Sequence, residues 1–425
     1  MTQLHLMYGL VGTLALVLAL MSRRIRDLAV SGPLVALAAG VIVGPHVLGA
    51  LELSERARDL ALLEGSRLVV AVSVMEAALR FPARQLRGVV RPVPILLLVV
   101  MPLAAVIAGA SALVLGIPLA LAALVGACLC PTDPVLAGSI VSGKPAEESL
   151  PQRLRHAITA ESGINDGLAL PIVGVALAVV LPATTPGAEA GRLVWEVTGS
   201  LLIGAAMGAL AALGARVAGR YGDPEPGPTL VLTVLLAVAV LGLGRAAGTD
   251  GILGVFVAGT AYNALVGDEE RGRQQRLNEA ANRYLCLPLF FILGVFLPWD
   301  QWAAFGAAAP LVVVLILLLR RLPAVLVLAR PLGFRGRDAV FLGWFGPMGA
   351  SSIFYVAHAV DTGVTDPRFF GAATLVIAAS VLTFGVTSSP GRRLYARSER
   401  RSAGAGAGST PAPPAVAARE PHGAA

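Results

Sequence analysis

The chain has 425 residues, of which 56% are hydrophobic and only 14% are charged, and its mean hydropathy is +0.77. A water-soluble chain carries about 25% charged residues, so this composition excludes a soluble globular protein and indicates a membrane protein. The net charge of +7 does not indicate nucleic-acid binding, because the basic residues lie in short segments without interleaved aromatic residues. The three cysteines lie within or beside apolar segments, which predicts neither a disulfide framework nor a zinc site.

Apolar windows of about 17–25 residues predict an all-α integral membrane protein with thirteen transmembrane helices. The windows are 4–21, 32–50, 62–79, 92–116, 118–142, 156–181, 195–218, 228–246, 250–267, 284–299, 303–329, 339–360 and 367–389. The third and tenth windows are short or weakly bounded, so twelve or fourteen helices are the alternatives to thirteen. No basic segment precedes the first window, so we expect it to be retained rather than cleaved as a signal peptide.

The basic residues predict the orientation of these helices. Most of the 33 lysines and arginines fall in alternate loops, which places those loops in the cytoplasm and the amino terminus outside the plasma membrane. With the window at 195–218 as a linker, windows one to six (4–181) and eight to thirteen (228–389) are predicted to form two inverted six-helix repeats. Residues 1–397 then form the transmembrane domain. Residues 398–425 are rich in Gly, Ala, Pro and Ser, which predicts a disordered cytoplasmic tail.

The fifth window is interrupted in the segment CPTDPVLAGSIV. Pro131 and Pro134 have no N–H group and leave two backbone carbonyls without helical donors. Loosened backbone at membrane depth persists only where protein or water covers it. Thr132 and Asp133 lie in this break and would offer a cation hard oxygen ligands. The alternative is a proline kink in which Asp133 merely caps a helix.

The sixth window concentrates polar residues in HAITAESGINDGLALP. Ser162 and Asp166 are four residues apart and share one helix face, and Glu161 and Asn165 form a second such pair. Asp166 lies about ten residues into the window, near 15 Å from its cytoplasmic end and close to the middle of the membrane. A carboxylate at that depth can hold either a proton or a cation, which is the chemistry of exchange. The alternative is a structural polar network between helices.

The twelfth window contains a second break, in GWFGPMGASS. Gly346, Pro347 and Gly349 interrupt the helix at a position that corresponds, in the second repeat, to residues 131–134 of the first. Paired interrupted helices in matching positions of two repeats indicate a transport site at the membrane midplane.

Charged residues also occur in two other windows. Arg320 and Arg321 lie in the eleventh window at a depth close to that of Glu161, so we expect one of them to pair with this glutamate. The alternative is that both side chains extend to the cytoplasmic interface. Glu76, in the third window, has only Arg80, one turn later, as a candidate partner.

The segments TDPVLAGSIV and LPQRLRHAITAESGINDGLALP resemble the monovalent cation/proton antiporters of the Asn-Asp type, a family with bacterial and archaeal sodium/proton antiporters. The resemblance implies that Asp166 carries the cation or the proton. It also implies that Thr132, Asp133, Ser162 and Asn165 belong to the cation-binding residues. Asn165 and Glu161 would in addition organise the site. Several prokaryotic relatives have arginine where this chain has Met348. The resulting GPMG motif is more similar to the fungal plasma-membrane sodium and potassium exporters.

The family further implies a homodimer in lipid, with a core domain that moves against a dimerisation domain, and no cofactor beyond the transported ions. We therefore expect a transporter for monovalent cations and protons rather than an enzyme, with roles in pH and salt homeostasis. A cation channel and an intramembrane aspartyl protease are the alternatives. The channel would need a continuous pore lining and filter, and the protease would use Asp133 and Asp166 as an acid–base pair. The sequence leaves Na⁺, K⁺ and Li⁺ open as cargo.

Overall fold

The computed structural model describes residues 2–20, 30–51, 54–80, 90–181, 186–220, 231–249, 251–334 and 336–407. All regular secondary structure in these ranges is helical. A helix satisfies its backbone N–H and C=O groups internally, which the hydrocarbon interior of a membrane requires.

In the described residues, thirteen helices or interrupted helix pairs overlap the thirteen predicted windows, which agrees with the predicted all-helical, multi-span fold. They are α1 (Thr2–Leu20), α2 (Gly32–Val43), α3 (Glu55–Leu79), α4 (Pro92–Leu115), α5a (Leu119–Cys128), α5b (Pro134–Val141), α6 (Gln152–Val180), α7 (Pro186–Arg220), α8 (Leu232–Ala246), α9 (Ile252–Leu265), α10 (Asp268–Val295), α11a (Ala308–Leu319), α11b (Leu322–Val327), α12a (Arg337–Trp344), α12b (Ala350–Thr362) and α13 (Pro367–Ala407). Short helices also occur at Lys144–Ser149, Trp299–Ala304 and Ala329–Leu332.

Several features differ from those expected, and α10 begins at Asp268 rather than at residue 284. Helix α11 is interrupted at Arg320 and Arg321, a third break that the sequence did not predict. Helix α13 continues to Ala407, so the predicted start of the tail at residue 398 lies within a helix, and residues 408–425 lie outside the described part of the chain. By length and composition alone, five helices in the described ranges can cross a membrane. The other predicted spans are shorter, interrupted or partly charged.

Glycines allow some helices to touch backbone to backbone. A Cβ added at Gly40 of α2 would lie 2.0 Å from the carbonyl oxygen of Phe291 in α10, and one added at Gly294 would lie 2.2 Å from that of Leu37. Gly208 makes the same kind of contact between α7 and α9. Close approach through small residues is a main source of helix association in membranes, where burial from water contributes little.

Candidate cation site

The two predicted helix breaks meet at the centre of the molecule. The N–H group of Asp133, between α5a and α5b, donates to the carbonyl of Pro347, between α12a and α12b, at 2.8 Å. Gly349 permits this approach, because a Cβ there would lie 2.5 Å from Oδ2 of Asp133. The breaks predicted at Pro131 and Pro134 and at Gly346, Pro347 and Gly349 are therefore both present.

Arg320 satisfies the backbone carbonyls that the breaks release. This side chain is buried, and its Nη1 donates to the carbonyls of Leu129, Cys130 at 3.3 Å and Pro131 at 3.2 Å. Its Nη2 donates to the carbonyl of Gly346. Buried carbonyls need such donors. The positive charge of Arg320 also interacts favourably with the partial negative charges at the carboxyl-terminal ends of α5a and α12a. One guanidinium thus joins both breaks.

Arg321 is the partner of Glu161. Its Nη2 donates to Oε2 of Glu161 at 2.7 Å, its Nη1 donates to Oε1, and its Nε donates to the carbonyl of Leu342 at 2.9 Å. The predicted pairing of Glu161 with one of the two arginines is present. The alternative, in which both arginines reach the interface, is wrong because Arg320 and Arg321 are only 2% and 5% exposed. Met348 is fully buried, and its N–H donates to Ser380 Oγ.

A chain of hydrogen bonds connects the first break to α6. Asn165 Nδ2 donates to Thr132 Oγ1 at 2.7 Å, and Thr132 Oγ1 lies 3.1 Å from Ser162 Oγ. The Ser162 hydroxyl donates to the carbonyl of Ile158 at 2.9 Å, so Thr132 is the donor to Ser162. Asn165 therefore orients the Thr132 hydroxyl, and the carbonyl of Ile158 orients that of Ser162.

The two aspartates have different surroundings. Asp133 is the amino-terminal cap of α5b, and its Oδ1 accepts from the N–H of Leu136 at 2.9 Å. Oδ2 of Asp133 and both carboxylate oxygens of Asp166 are buried without a hydrogen-bond partner among the described residues. Asp133 acts on Asp166 through its charge, and the hydroxyl of Ser351 faces the Asp166 carboxylate as the nearest hydrogen-bond donor, outside normal hydrogen-bond geometry. Asp166 is thus the freer carboxylate of the two.

Several buried oxygen atoms at the site accept no hydrogen bond from the described residues. Besides the carboxylates, Oδ1 of Asn165 and Oγ of Ser351 are buried and unpartnered among the described residues. Buried oxygen acceptors are costly unless a donor or a positive charge faces them. Carboxylate, amide and hydroxyl oxygens are the ligands that hard cations prefer. These oxygen atoms are therefore suited to hold a small cation or a proton.

The sequence did not single out two residues of α12b that touch the site. Ser351 faces Asp166, and the hydroxyl of the buried Tyr355 donates to the backbone carbonyl of Asp166. The two serines in the segment GASS, directly after the second break, could have indicated Ser351 as a site residue. Nothing in the local sequence indicates the Tyr355 bond, which joins residues 189 positions apart.

The predicted pair of Glu76 and Arg80 is also present. Arg80 Nη2 donates to Oε1 of Glu76, and Asn282 Nδ2 donates to Oε2 at 2.6 Å. Asn282 also donates to Ser73 Oγ at 3.1 Å. Asn282 could not be found from sequence because it lies on α10, 206 positions from Glu76.

A cavity of about 320 Å³ lies at the end of the molecule that carries Lys144, and Val135 and Gly138 of α5b line it beside the first break. One wall consists of residues from α2, α3 and α10, and the opposite wall consists of residues from α5b and α13. Gly143 and Lys144 at its rim are exposed. At the opposite end of the molecule, the buried Arg67 lies over the ring of Phe354, 5.4 Å from its centroid.

The chain is similar in sequence to several proteins named as sodium/proton antiporters. The chain is 30% identical over 379 residues to "Na(+)/H(+) antiporter 2" of Zygosaccharomyces rouxii, covering 83% of this chain and 46% of the relative. It is 29% identical to the "Na(+)/H(+) antiporter" of Saccharomyces cerevisiae, covering 82% of this chain and 37% of that one. The chain thus spans about half the length, or less, of these fungal proteins. It is also 28% identical to the antiporter NhaP of Pseudomonas aeruginosa, covering 64% of this chain and 66% of that protein.

The fold and the family follow from two further similarities. The sodium proton antiporter MjNhaP1 of Methanocaldococcus jannaschii superposes with a TM-score of 0.75 at 15% identity, covering 92% of this chain and 98% of the other. At that identity the likeness establishes the fold alone. The family described as "Sodium/hydrogen exchanger, transmembrane" matches residues 11–391, nearly the whole membrane domain. The chain therefore belongs to the transmembrane sodium/hydrogen exchanger family.

Proposed function

We propose that the protein is a secondary active antiporter that exchanges Na⁺, with K⁺ or Li⁺ as alternatives, for H⁺ across the plasma membrane. The observation that carries the proposal is Asp166, whose two carboxylate oxygens are buried and unpartnered among the described residues. A carboxylate in that state needs either a proton or a cation. The names of the relatives agree with this cargo.

In this proposal Asp166 carries the cation or the proton. The other site residues either bind the cation or keep the site in position. Protonated and cation-loaded Asp166 are both close to neutral, so both let the site move, whereas the empty carboxylate is too costly in a low dielectric. Asp133 keeps its position because it caps α5b. Thr132, Ser162 and Asn165 supply oriented oxygens, and the Glu161–Arg321 pair stiffens the base of the site.

Alternating access would move one group of helices against the other. The core would comprise α4 to α6 and α11 to α13, and α1 to α3 with α7 to α10 would form the dimerisation domain of a homodimer. The cavity between α2, α3 and α10 on one side and α5b and α13 on the other supports this division. We assign the Lys144 end to the cytoplasm and the amino terminus to the outside, in agreement with the distribution of basic residues. Residues 1–397 would form the transport domain and residues 398–425 a cytoplasmic tail.

The test is Asp166→Asn in everted membrane vesicles, with exchange followed as cation-induced dissipation of an imposed pH gradient. The amide is nearly isosteric but cannot carry a proton or neutralise a cation, so we expect no detectable exchange from protein that is still monodisperse after purification. Asp366→Asn is the matched control, because Asp366 lies at the surface near the start of α13 and pairs with Arg368. Full exchange by Asp166→Asn would rule out the proposed carrier.

A further inference from the structure

Glu76 and Arg80 form a buried ion pair outside the cation site. Glu76 is 5% exposed, and both of its carboxylate oxygens are occupied: Oε1 by Nη2 of Arg80 and Oε2 by Nδ2 of Asn282 at 2.6 Å. Pairing and hydrogen bonding of this kind are what allow a carboxylate to stay charged while it is buried. The pair lies in the carboxyl-terminal turn of α3.

This pair stands between the cytoplasmic cavity and the cation site. Glu76 and Arg80 line the cavity of about 320 Å³, and they also line a second, small cavity of about 10 Å³. The small cavity is bounded on its other side by Pro134 and Ser162, which adjoin the site. The guanidinium of Arg80 also reaches α5b, because a Cβ added at Gly138 would lie 3.8 Å from its Nη2. The route from the large cavity to the site therefore passes this pair.

We infer that Arg80 gates the cytoplasmic route to the cation site by acting as a tethered substitute for the transported cation. The guanidinium of Arg80 pairs with the carboxylate of Glu76 while no cation is present. An incoming cation must displace the guanidinium from this carboxylate. The inference rests on the proposed antiport function. It assigns to Arg80 a control of access to the site, and it leaves the carrier role with Asp166.

The charges and the space around Arg80 support this role. A fixed positive charge on a cation route opposes the cation directly, and the opposition is strong where water is scarce. Asn282 holds Glu76 in place through its other oxygen, so the carboxylate stays when the guanidinium leaves. Arg80 has room to withdraw into the large cavity, whose wall also carries the carboxylate of Glu279 as an alternative partner.

The test is Arg80→Gln, with the rate of exchange in everted vesicles measured against the cation concentration at the cytoplasmic face. Removal of the tethered charge should lower KM for the cation by about fivefold or more, which corresponds to about 1 kcal/mol. Arg80→Lys keeps the charge and should keep KM near that of the unmodified protein. Arg368→Gln is the control, since Arg368 is exposed, pairs with Asp366 and does not line the cavity, and KM in this variant should not change.

A double variant separates gating from simple support of Glu76. If Arg80 acts by covering Glu76, Glu76→Gln combined with Arg80→Gln should lose the gain in affinity that Arg80→Gln alone shows. An unchanged or raised KM in Arg80→Gln, from protein that exchanges and is monodisperse, would overturn the inference and leave Arg80 a structural residue. Failure of the unmodified protein to exchange any cation would instead refute the proposed function, so the two failures are distinguishable.

Discussion

Two adjacent arginines have separate tasks at the site. Arg320 donates only to backbone carbonyls at the two helix breaks, whereas Arg321 forms a bidentate pair with Glu161. The break in α11 between them directs the two side chains to different partners. A buried ion pair contributes little net stability, but removal of one partner leaves an uncompensated charge in a low dielectric. The Glu161–Arg321 pair should therefore respond very differently to single and to double substitution.

Glu161→Gln should destabilise the protein by about 3–5 kcal/mol, because the buried guanidinium of Arg321 loses its counter-charge. The double variant Glu161→Gln with Arg321→Gln should be more stable than Glu161→Gln alone. Thermal unfolding of the purified protein in detergent measures both effects. Glu279→Gln serves as the control, since its pair with Arg283 is partly exposed and contributes about 1 kcal/mol or less. Equal stability of Glu161→Gln and the unmodified protein would contradict the expected role of the pair.

At the level of helices, close contacts between backbones determine which elements are rigidly joined. Helices α2 and α10 meet at Gly40 and Gly294 with no space for a side chain. These two helices and α3 form one wall of the cavity of about 320 Å³. A rigid wall on this side is what the movement of α5b and α13 would require.

Gly40→Ala should disrupt this wall, because the new methyl group would lie 2.0 Å from the carbonyl oxygen of Phe291 and backbone must move to make room. We expect a loss of about 1–3 kcal/mol or more in the free energy of unfolding, measured as a lower unfolding temperature in detergent. Gly12→Ala in α1 is the matched control, since nothing lies within 4 Å of the added Cβ. That substitution should be neutral or stabilising. An unfolding temperature for Gly40→Ala equal to that of Gly12→Ala would count against the contact.

At the level of the whole molecule, two groups of helices face each other across the cavity of about 320 Å³. Helices α2 and α13 approach at the mouth of this cavity, where the N–H of Ser31 donates to the carbonyl of Gly385 at 3.2 Å. If exchange proceeds by alternating access, this contact must change in every transport cycle. A covalent link across it should stop transport.

Ser31→Cys with Gly385→Cys should form a disulfide, since a Cβ added at Gly385 lies 2.8 Å from Oγ of Ser31 and disulfides need close Cβ atoms. Oxidation should abolish exchange in vesicles, and a reductant should restore it. Cys286 lines the same cavity and is replaced by Ala in every variant. Each single variant should then be unaffected by the oxidant, because Cys128 and Cys130 are buried. Undiminished exchange by the fully cross-linked double variant would contradict movement between α2 and α13.

The sequence by itself predicted the membrane class, a many-helix chain, the breaks in the fifth and twelfth windows, and the polar residues that the structure brings together at the candidate cation site. These follow from local causes: apolar length, missing N–H groups at proline, and i,i+4 spacing on a helix. Only the tertiary structure decided that Arg321 and not Arg320 pairs with Glu161, that Arg320 binds both breaks, that Asn282 binds Glu76, and that Tyr355 binds the backbone of Asp166. Those contacts join residues far apart in the chain, and depth in the membrane does not specify them. They depend on how helices rotate and pack, which no local pattern records.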